Sequence, residues 1–570
     1  MRPGLTQDML ESLAVRMTLK QRVPWGPTAG FDPLLPGTGP ADCCESTLEA
    51  AMATAPPNYV VHALELFDRY GNHEAIVGRG RRLTYTELRA LILDLAFALR
   101  QHGVRSGMTV AIVLGLPPEA PAVLLALHLL GCRTVWIRIG VAERETAEQL
   151  RLSRPDAVLY DARSVNPFGR QVGERLGVPV LCLGPSGAGP DLLAYHGSHE
   201  LDPGIVGGDP DTIFQTSGTT GVPKLVHHEQ KFYWQIHRLA EAIIAANEPH
   251  WRHLSLSVLG HVSGQISALL YLFTGGVLIL MEDWDPVEFL ATIERERVNS
   301  SFIPPPYLYD LIGHPAVDRT DCSSMLMLSV GAAPASPARL REAIGQFGPV
   351  LRVTYGLSEC PFISANTAMT GDPADAKRLS SAGTPYGDVV VEIRGEDGVT
   401  VLGTGEIGEL WVRSDLNFAG YYRQPELTAR NLVDGWVRTR DLGYRDADGY
   451  LYLVGRTQDL IITGRKCWKV WPRPIEDALA AHPDVRAAAV IGVPDPEAVE
   501  AVHAYVVLAP EATVTAGELA ARVRGELTEL WAPRSIEFVD RLPINSTGKV
   551  DKNALRERYA AGHPAVAVPG

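Results

Sequence analysis

Thr216-Ser217-Gly218-Thr219-Thr220-Gly221-Val222-Pro223-Lys224 is the stretch on which the reading of this chain turns. It gathers three threonines, one serine and two glycines ahead of a lysine. Glycine lacks a Cβ and tolerates positive φ, so backbone N–H groups can turn toward an anion. The hydroxyls add donors and the lysine a point charge. This is the make-up of a loop that holds phosphate. It is not a Walker loop, which runs Gly-x-x-x-x-Gly-Lys-(Ser/Thr) into a helix. Here Pro223 separates the second glycine from the lysine, and Leu225 follows. A single Gly/Ser/Thr cluster is more often an ordinary polar turn, so its weight depends on its surroundings. Immediately upstream, Asp211-Thr212-Ile213-Phe214-Gln215 reads as a short strand, which places the loop at a strand end.

The chain has 570 residues, enough for two or more domains. Hydrophobic residues make up 46% and charged ones 21%, as in a soluble globular protein. The net charge of −14 argues against nucleic-acid and anionic-membrane partners, and a bound nucleotide must be held by local cations. Cys43, Cys44, Cys132, Cys182, Cys322, Cys360 and Cys467 are odd in number and show no Cys-x-x-Cys spacing. That favours free thiols in a reducing cytosol over a disulfide framework or a zinc site. The N-terminus carries Asp8 and Glu11 and no apolar signal core. The most apolar stretch, Ala120 to Leu130, is about half the length of a bilayer span and reads as a buried helix. The expectation is a cytoplasmic protein with no membrane span.

Working outward, residues 1–50 are Pro- and Gly-rich and read as an extension. Thr84-x-x-Glu87 is a capping box, followed by Leu88, Leu91, Ile92, Leu95 and Leu99 at helical spacing and by Gly103 as a stop. Val110 to Leu114 reads as a buried strand. Strands and helices alternate in this way to about residue 350, which implies α/β layers with largely parallel sheets. Leu183 to Asp211 reads as a surface connection. From Gly383 to Tyr452 short runs such as Val389–Ile393 and Glu409–Val412 alternate with glycine turns, implying a compact β subdomain. The expected organisation is an extension (1–50), a large domain (51–455) and a small α+β domain (456–570), with the boundary at Gly455-Arg456. No internal repeat or low-complexity tract interrupts it.

Further motifs follow in chain order. Leu259-Gly260-His261-Val262-Ser263-Gly264 comes after a strand-like Leu254–Val258. Leu328-Ser329-Val330-Gly331-Ala332-Ala333-Pro334 reads as strand then turn. In Thr354-Tyr355-Gly356-Leu357-Ser358-Glu359, Tyr355 offers a flat face for a base, and Glu359 offers the hard oxygen that Mg²⁺ prefers. Gly435-Trp436-Val437-Arg438-Thr439-Arg440-Asp441, Gly455-Arg456-Thr457-Gln458 and Leu542-Pro543-Ile544-Asn545-Ser546-Thr547-Gly548-Lys549 complete the series.

Together these motifs, in this order, resemble the adenylate-forming superfamily of acyl-CoA synthetases, peptide-synthetase adenylation domains and luciferases. The resemblance spans roughly residues 60–556 and is nearest to bacterial acyl-CoA synthetases. It implies a mobile small domain that brings Lys549 onto a site in the large one. It also implies ATP and Mg²⁺ as cofactors, and a small-molecule acid activated as acyl-AMP with release of pyrophosphate. By this resemblance Thr216, Ser217, Gly218, Thr219, Thr220, Gly221 and Lys224 hold the β- and γ-phosphates. Gly331, Ala332, Ala333 and Pro334 lie beside the adenine, with Thr354, Tyr355, Gly356 and Ser358. Asp441 and Arg456 hold the ribose, Glu359 the metal. His261, Gly264 and Gly331 line the acid pocket, and Gln458 falls at the hinge. Lys549, Glu359 and Thr220 are the residues expected to carry the chemistry.

The departures concern the second step. Arg440 stands where the family usually has glycine, as a new anion contact or a solvated side chain. Lys469-Val470-Trp471-Pro472-Arg473 follows the family, but Cys467 replaces a glycine, Trp468 a smaller aromatic and Pro474 a glutamate. In the family this loop walls the pantetheine tunnel, and a Cys–Trp pair would narrow it. CoA is the default acceptor, giving an acyl-CoA thioester; the alternative is the chemistry of a superfamily branch that activates nitrite and transfers it to an aryl amine, and a carrier protein is a further candidate partner. A non-catalytic nucleotide-binding protein is the reading from another class; it predicts decay of Lys549 or Glu359, and both stand. The acid and the oligomeric state are not readable, although Phe302, Tyr307 and Tyr309 hint at an aromatic pocket or at core.

Overall fold

The computed structural model describes residues 58–563 apart from 138, 140–142, 186–187, 198, 217–223, 247–249, 368–372, 464–467, 496–499 and 545–548. The expected extension over residues 1–50 lies outside the described residues.

Two large sheets dominate. One has nine strands, in the order Thr384–Pro385, Ser364–Asn366, Leu351–Tyr355, Met327–Val330, Ser300–Ile303, Arg252–Ser255, Val277–Leu280, Glu74–Gly78 and Arg81–Thr84. From Leu351–Tyr355 to Glu74–Gly78 neighbours run parallel, and the outer strands are antiparallel. The other has seven, in the order Gly420–Tyr421, Lys224–His228, Asp211–Thr216, Arg133–Trp136, Thr109–Val113, Ala157–Asp161 and Val180–Leu183. Its last five are mutually parallel.

Helices bury their apolar faces against these sheets, as parallel strands covered on both faces require. The helix Tyr85–Gln101 starts at the reciprocal Thr84–Glu87 capping box and buries Leu88, Ile92, Leu95 and Leu99. All ten residues of Ala120–Leu129 are buried, so the apolar run is core. The strand expected at Leu254–Val258 spans Arg252–Ser255 instead, because the chain turns at Val258, whose carbonyl accepts from His261 N–H, to start the helix Val262–Phe273. The surface connection after Leu183 contains short 3₁₀ turns at Leu192–Ala194 and Pro203–Ile205.

A third sheet joins Val390–Arg394, Gly408–Arg413, Trp436–Arg445, Leu432–Val433 and Leu451–Arg456 antiparallel around Val391, Ile393, Leu410, Val412 and Leu451. After Arg456 the chain makes a single 3₁₀ turn, Thr457–Asp459, which contains Gln458. It then enters a fourth sheet of Trp468–Val470, Ile461–Thr463, Glu500–Leu508, Val485–Pro494 and Ser535–Phe538. The helices Pro472–Ala480 and Ala516–Glu526 cover this sheet around its own apolar cluster, which includes Ile475, Leu479, Val490, Val506 and Leu519. Among the described residues no helix is long and apolar enough to cross a membrane.

Candidate active site

The strands Asp211–Thr216 and Lys224–His228 pair antiparallel with Thr216 directly opposite Lys224. The two ends of the opening motif therefore meet. Ser217, Gly218, Thr219, Thr220 and Gly221 lie outside the described residues. Tyr421, on the short strand beside Lys224–His228, brings its ring to 5.8 Å from Lys224 Nζ. The Tyr421 hydroxyl donates to Glu359 Oε1 at 2.6 Å. Burial and the facing Glu359 carboxylate push that hydroxyl's pKa well up, so Tyr421 is a neutral donor.

Glu359 is held from its backbone too. Phe418 N–H donates to the Glu359 carbonyl at 2.9 Å. His228 Nε2 lies 2.7 Å from the Ser358 carbonyl. Burial lowers His228 to about 4, so the ring is neutral and this nitrogen carries the donated proton. Gly356 is the turn's steric requirement: a Cβ there would lie 1.7 Å from the Pro361 carbonyl oxygen. Among the described residues no group of three or more His, Cys, Asp or Glu is placed to hold a metal. A Mg²⁺ ion at Glu359 would take the rest of its octahedral shell from nucleotide oxygens and water, as Mg²⁺ held by a single carboxylate does.

Tyr355 ends the strand Leu351–Tyr355 and donates its hydroxyl to Asp441 Oδ2 at 2.6 Å. Arg456 Nε donates to the other oxygen, Oδ1, at 2.9 Å. Asp441 and Arg456 are cross-strand partners, so their meeting follows from sheet register. Asp441 N–H also reaches Thr439 Oγ1 at 3.1 Å. The predicted pair is thus brought together, and Tyr355 is tied to it through its hydroxyl.

Gly331 lies where a Cβ would approach Thr354 Oγ1 to 2.6 Å and Phe302 to 2.9 Å, and Ala332 takes a left-handed φ of 65°. Gly331–Pro334 therefore turns tightly against the Thr354–Tyr355 strand end. Phe302 is at this turn, whereas Tyr307 stacks on Trp284 at 4.2 Å and the Tyr309 hydroxyl accepts from Ser336 N–H at 2.7 Å. His261 is the residue preceding the helix Val262–Phe273. Gly264 lies inside that helix, where a Cβ would meet the Val258 carbonyl oxygen at 2.2 Å, so glycine lets the preceding loop pack on the helix.

Lys549 is half-buried and lies within electrostatic reach of the same residues. Burial and the nearby Arg456 cation push its amine down to about 8, and Asp441 and Glu359 partly oppose them. The late lysine, the Asp441–Arg456 pair and Glu359 thus share one electrostatic neighbourhood. Gly548 and its three predecessors lie outside the described residues.

The departures from pattern resolve differently. Arg440 holds a left-handed φ of 63°, where glycine would be unstrained. Its guanidinium reaches Asn431 Oδ1 and the Arg430 carbonyl, each at 3.2 Å, and its backbone N–H reaches Glu409 Oε1 at 3.3 Å. The side chain is committed to the protein rather than standing free. Trp468 is 51% exposed on the edge of the fourth sheet, and Pro474 fits the first turn of the helix Pro472–Ala480. Cys467 lies outside the described residues. Tyr421 and His228 are the supports that motif reading missed. They come from strands whose partners are 62 and 130 residues away, and no local pattern marks them.

Residues 65–422 match the AMP-binding enzyme family, and residues 474–549 match the AMP-binding enzyme C-terminal domain. A medium/long-chain-fatty-acid–CoA ligase of Mycobacterium tuberculosis is 36% identical over 386 residues, which is 65% of this chain and 66% of that protein. A feruloyl-CoA synthase of an Amycolatopsis species is 33% identical over 490 residues, 84% of this chain and 94% of that protein. Among solved structures, that of the amide bond synthetase McbA from Marinactinospora thermotolerans superposes with a TM-score of 0.78 at 36% identity. It covers 88% of this chain and all (100%) of that one.

Proposed function

The chain belongs to the AMP-binding enzyme family, and from that premise we propose that it activates a small carboxylic acid with ATP and passes the acyl group to CoA. The observation that carries the reading is that Lys549 lies within electrostatic reach of Asp441, Arg456 and Glu359, of which Arg456 grips Asp441 directly. An AMP-forming ligase needs that proximity, and a passive nucleotide binder does not.

The substrate carboxylate attacks the α-phosphorus of ATP, and pyrophosphate leaves in line. Positioning and charge stabilisation carry most of the barrier reduction in such a transfer. Asp441 and Arg456 would hold the ribose and Tyr355 the base. Thr216, Lys224 and the residues between them would hold the outer phosphates. Glu359, oriented by Tyr421, would hold Mg²⁺, which supplies charge neutralisation on the phosphate oxygens. Lys549 would draw the attacking oxygen and the α-phosphate together, for which it must be protonated. Its lowered pKa is the cost of delivering a cation into a buried pocket, and an incoming triphosphate raises that pKa again.

A second reading has an amine as the acceptor. The likeness to an amide bond synthetase at 36% identity across its whole length supports it, as do Trp468 and Pro474, which depart from the pantetheine-loop pattern. No residue of the site favours nitrite over a carboxylate, so that alternative enters the test only. We further place the large adenylating unit at 51–455, the small unit at 456–570 and the enzyme in the cytoplasm.

The test is pyrophosphate release with ferulate, decanoate or nitrite, each alone, with CoA, and with an aryl amine. Release with an acid and a thioester product with CoA is the expected result. An amide product without CoA would transfer the assignment to the second reading. No release with any acid would refute acid activation by this site.

A further inference from the structure

Resting on the reading above, we infer that Arg473, held by Asp477, is a positioning residue that seats the small unit where Lys549 reaches the nucleotide site. Arg473 lies in the first turn of the helix Pro472–Ala480 and Asp477 one turn on. Arg473 Nε sits 2.9 and 2.8 Å from the two Asp477 carboxylate oxygens. The pair is largely withdrawn from water, at 13% and 26% side-chain exposure. That pairing leaves the far side of the guanidinium free to cross the boundary, and it donates to the Ala335 carbonyl at 2.6 Å.

Ala335 directly follows the Gly331–Pro334 turn, which packs on the Thr354–Tyr355 strand end. The contact therefore lands on the residue immediately after the segment expected beside the adenine. It is buttressed on both sides. The next residue, Ser336, donates its N–H to the Tyr309 hydroxyl. From the large unit, Arg339 donates across the boundary to the Val485 carbonyl. Tyr309, Arg473 and Asp477 are near enough to influence one another electrostatically. Tyr309 is thus part of this seam rather than of an acid pocket.

The chain between the two sides passes through the turn Thr457–Asp459. Any rotation of the small unit about that turn breaks the Arg473–Ala335 contact while leaving the Arg473–Asp477 pair intact within its helix. A contact made in one arrangement only shifts the population toward that arrangement by its own free energy. Arg473 thus favours adenylate formation and not the later transfer, and Asp477 keeps the buried guanidinium neutralised and aimed.

The experiment separates the two half-reactions. Pyrophosphate exchange is measured with ferulate and decanoate, and transfer to CoA is measured from chemically made feruloyl- and decanoyl-adenylate. Arg473→Ala should lower exchange about 10- to 100-fold, the range for one charge-assisted hydrogen bond. Transfer should stay within about twofold, because no group needed for it has been removed. Arg339→Ala, which leaves the Arg473–Asp477 pair intact, should shift exchange in the same direction. With Mg-ATP alone, hydrogen–deuterium exchange of the segments 332–340 and 472–480 should rise in Arg473→Ala, with the cores of both units unchanged. Undiminished exchange, equal losses in both half-reactions, or unaltered amide protection would overturn the inference. If wild-type enzyme exchanges no pyrophosphate with either acid, the functional reading is what has failed, and the amide-protection arm still decides the role of Arg473.

Discussion

Tyr355 and Asp441 are joined by a hydroxyl–carboxylate bond of 2.6 Å, while the second oxygen of Asp441 is taken by Arg456 at 2.9 Å. The group proposed to hold the ribose is thus anchored on the strand that carries the proposed base platform. Replacing Tyr355 with Phe keeps the ring face and removes the anchor. Expected is a rise in KM for ATP of about tenfold, the scale of one hydrogen bond to a charged group, with a smaller change in kcat. Steady-state kinetics at saturating acid decide it, and an unchanged KM would show that Asp441 needs no such tether.

Tyr421 plays the same part for Glu359. In Tyr421→Phe one oxygen of Glu359 loses its donor. The carboxylate should then hold Mg²⁺ less well, and the Mg²⁺ concentration giving half-maximal rate should rise several-fold, about 3- to 10-fold for one such bond. A titration of rate against free Mg²⁺ at fixed ATP reads it directly. Insensitivity would separate Tyr421 from the metal.

Lys549 gives a pH signature. With its folded pKa near 8, the free enzyme loses the ammonium as pH rises through that value. The kcat/KM for ATP, which reports free-enzyme ionisations, should fall above about pH 8. Lys549→Arg keeps its charge across this range, so its lower rate should show no such limb. The sign for stability is opposite. A lysine whose folded pKa is lowered binds fewer protons folded than unfolded between about 8 and its ordinary value of 10.5, so its cost to the closed arrangement is full below 8 and fades as pH rises. Lys549→Met should raise Tm most at pH 7 and least near pH 10.

Arg440 makes a backbone prediction. Its φ of 63° strains any residue with a Cβ, whereas its guanidinium contacts to Asn431 and the Arg430 carbonyl repay part of that strain. Arg440→Ala loses the contacts and keeps the strain; Arg440→Gly loses both. The glycine variant should therefore be the more stable of the two by about 1 kcal/mol, measured by urea unfolding. The reverse order would mean that the loop relaxes freely.

What was legible beforehand was local. The helix Tyr85–Gln101 was marked by Thr84 and Glu87, which cap it within one turn. The flanks of the phosphate-type motif were marked by a strand whose register then put Thr216 opposite Lys224. Asp441 and Arg456 are marked in the sequence because each sits in its own short motif, and sheet register pairs them. Tyr421, His228, Tyr309 and the Arg473–Ala335 contact were not found in this role. Each acts on a partner far along the chain, through a geometry that only the packed sheets create. The misplaced end of the strand Arg252–Ser255 has a similar cause. Leu256 and Val258 are apolar enough to continue it, but Gly264 admits the Val258 carbonyl against the next helix and the chain turns there instead.

Arg456 closes the strand Leu451–Arg456, and the turn Thr457–Asp459 begins at the very next residue. The side chain gripping Asp441 and the turn proposed as the pivot of the small unit are therefore adjacent along the chain. In the proposed motion, a swing large enough to withdraw Lys549 would begin by twisting the peptide that steadies Arg456. Loosening of the spent nucleotide and departure of the lysine would then be geared together, so that the stroke ending one proposed chemical step would also start to clear the berth for the next.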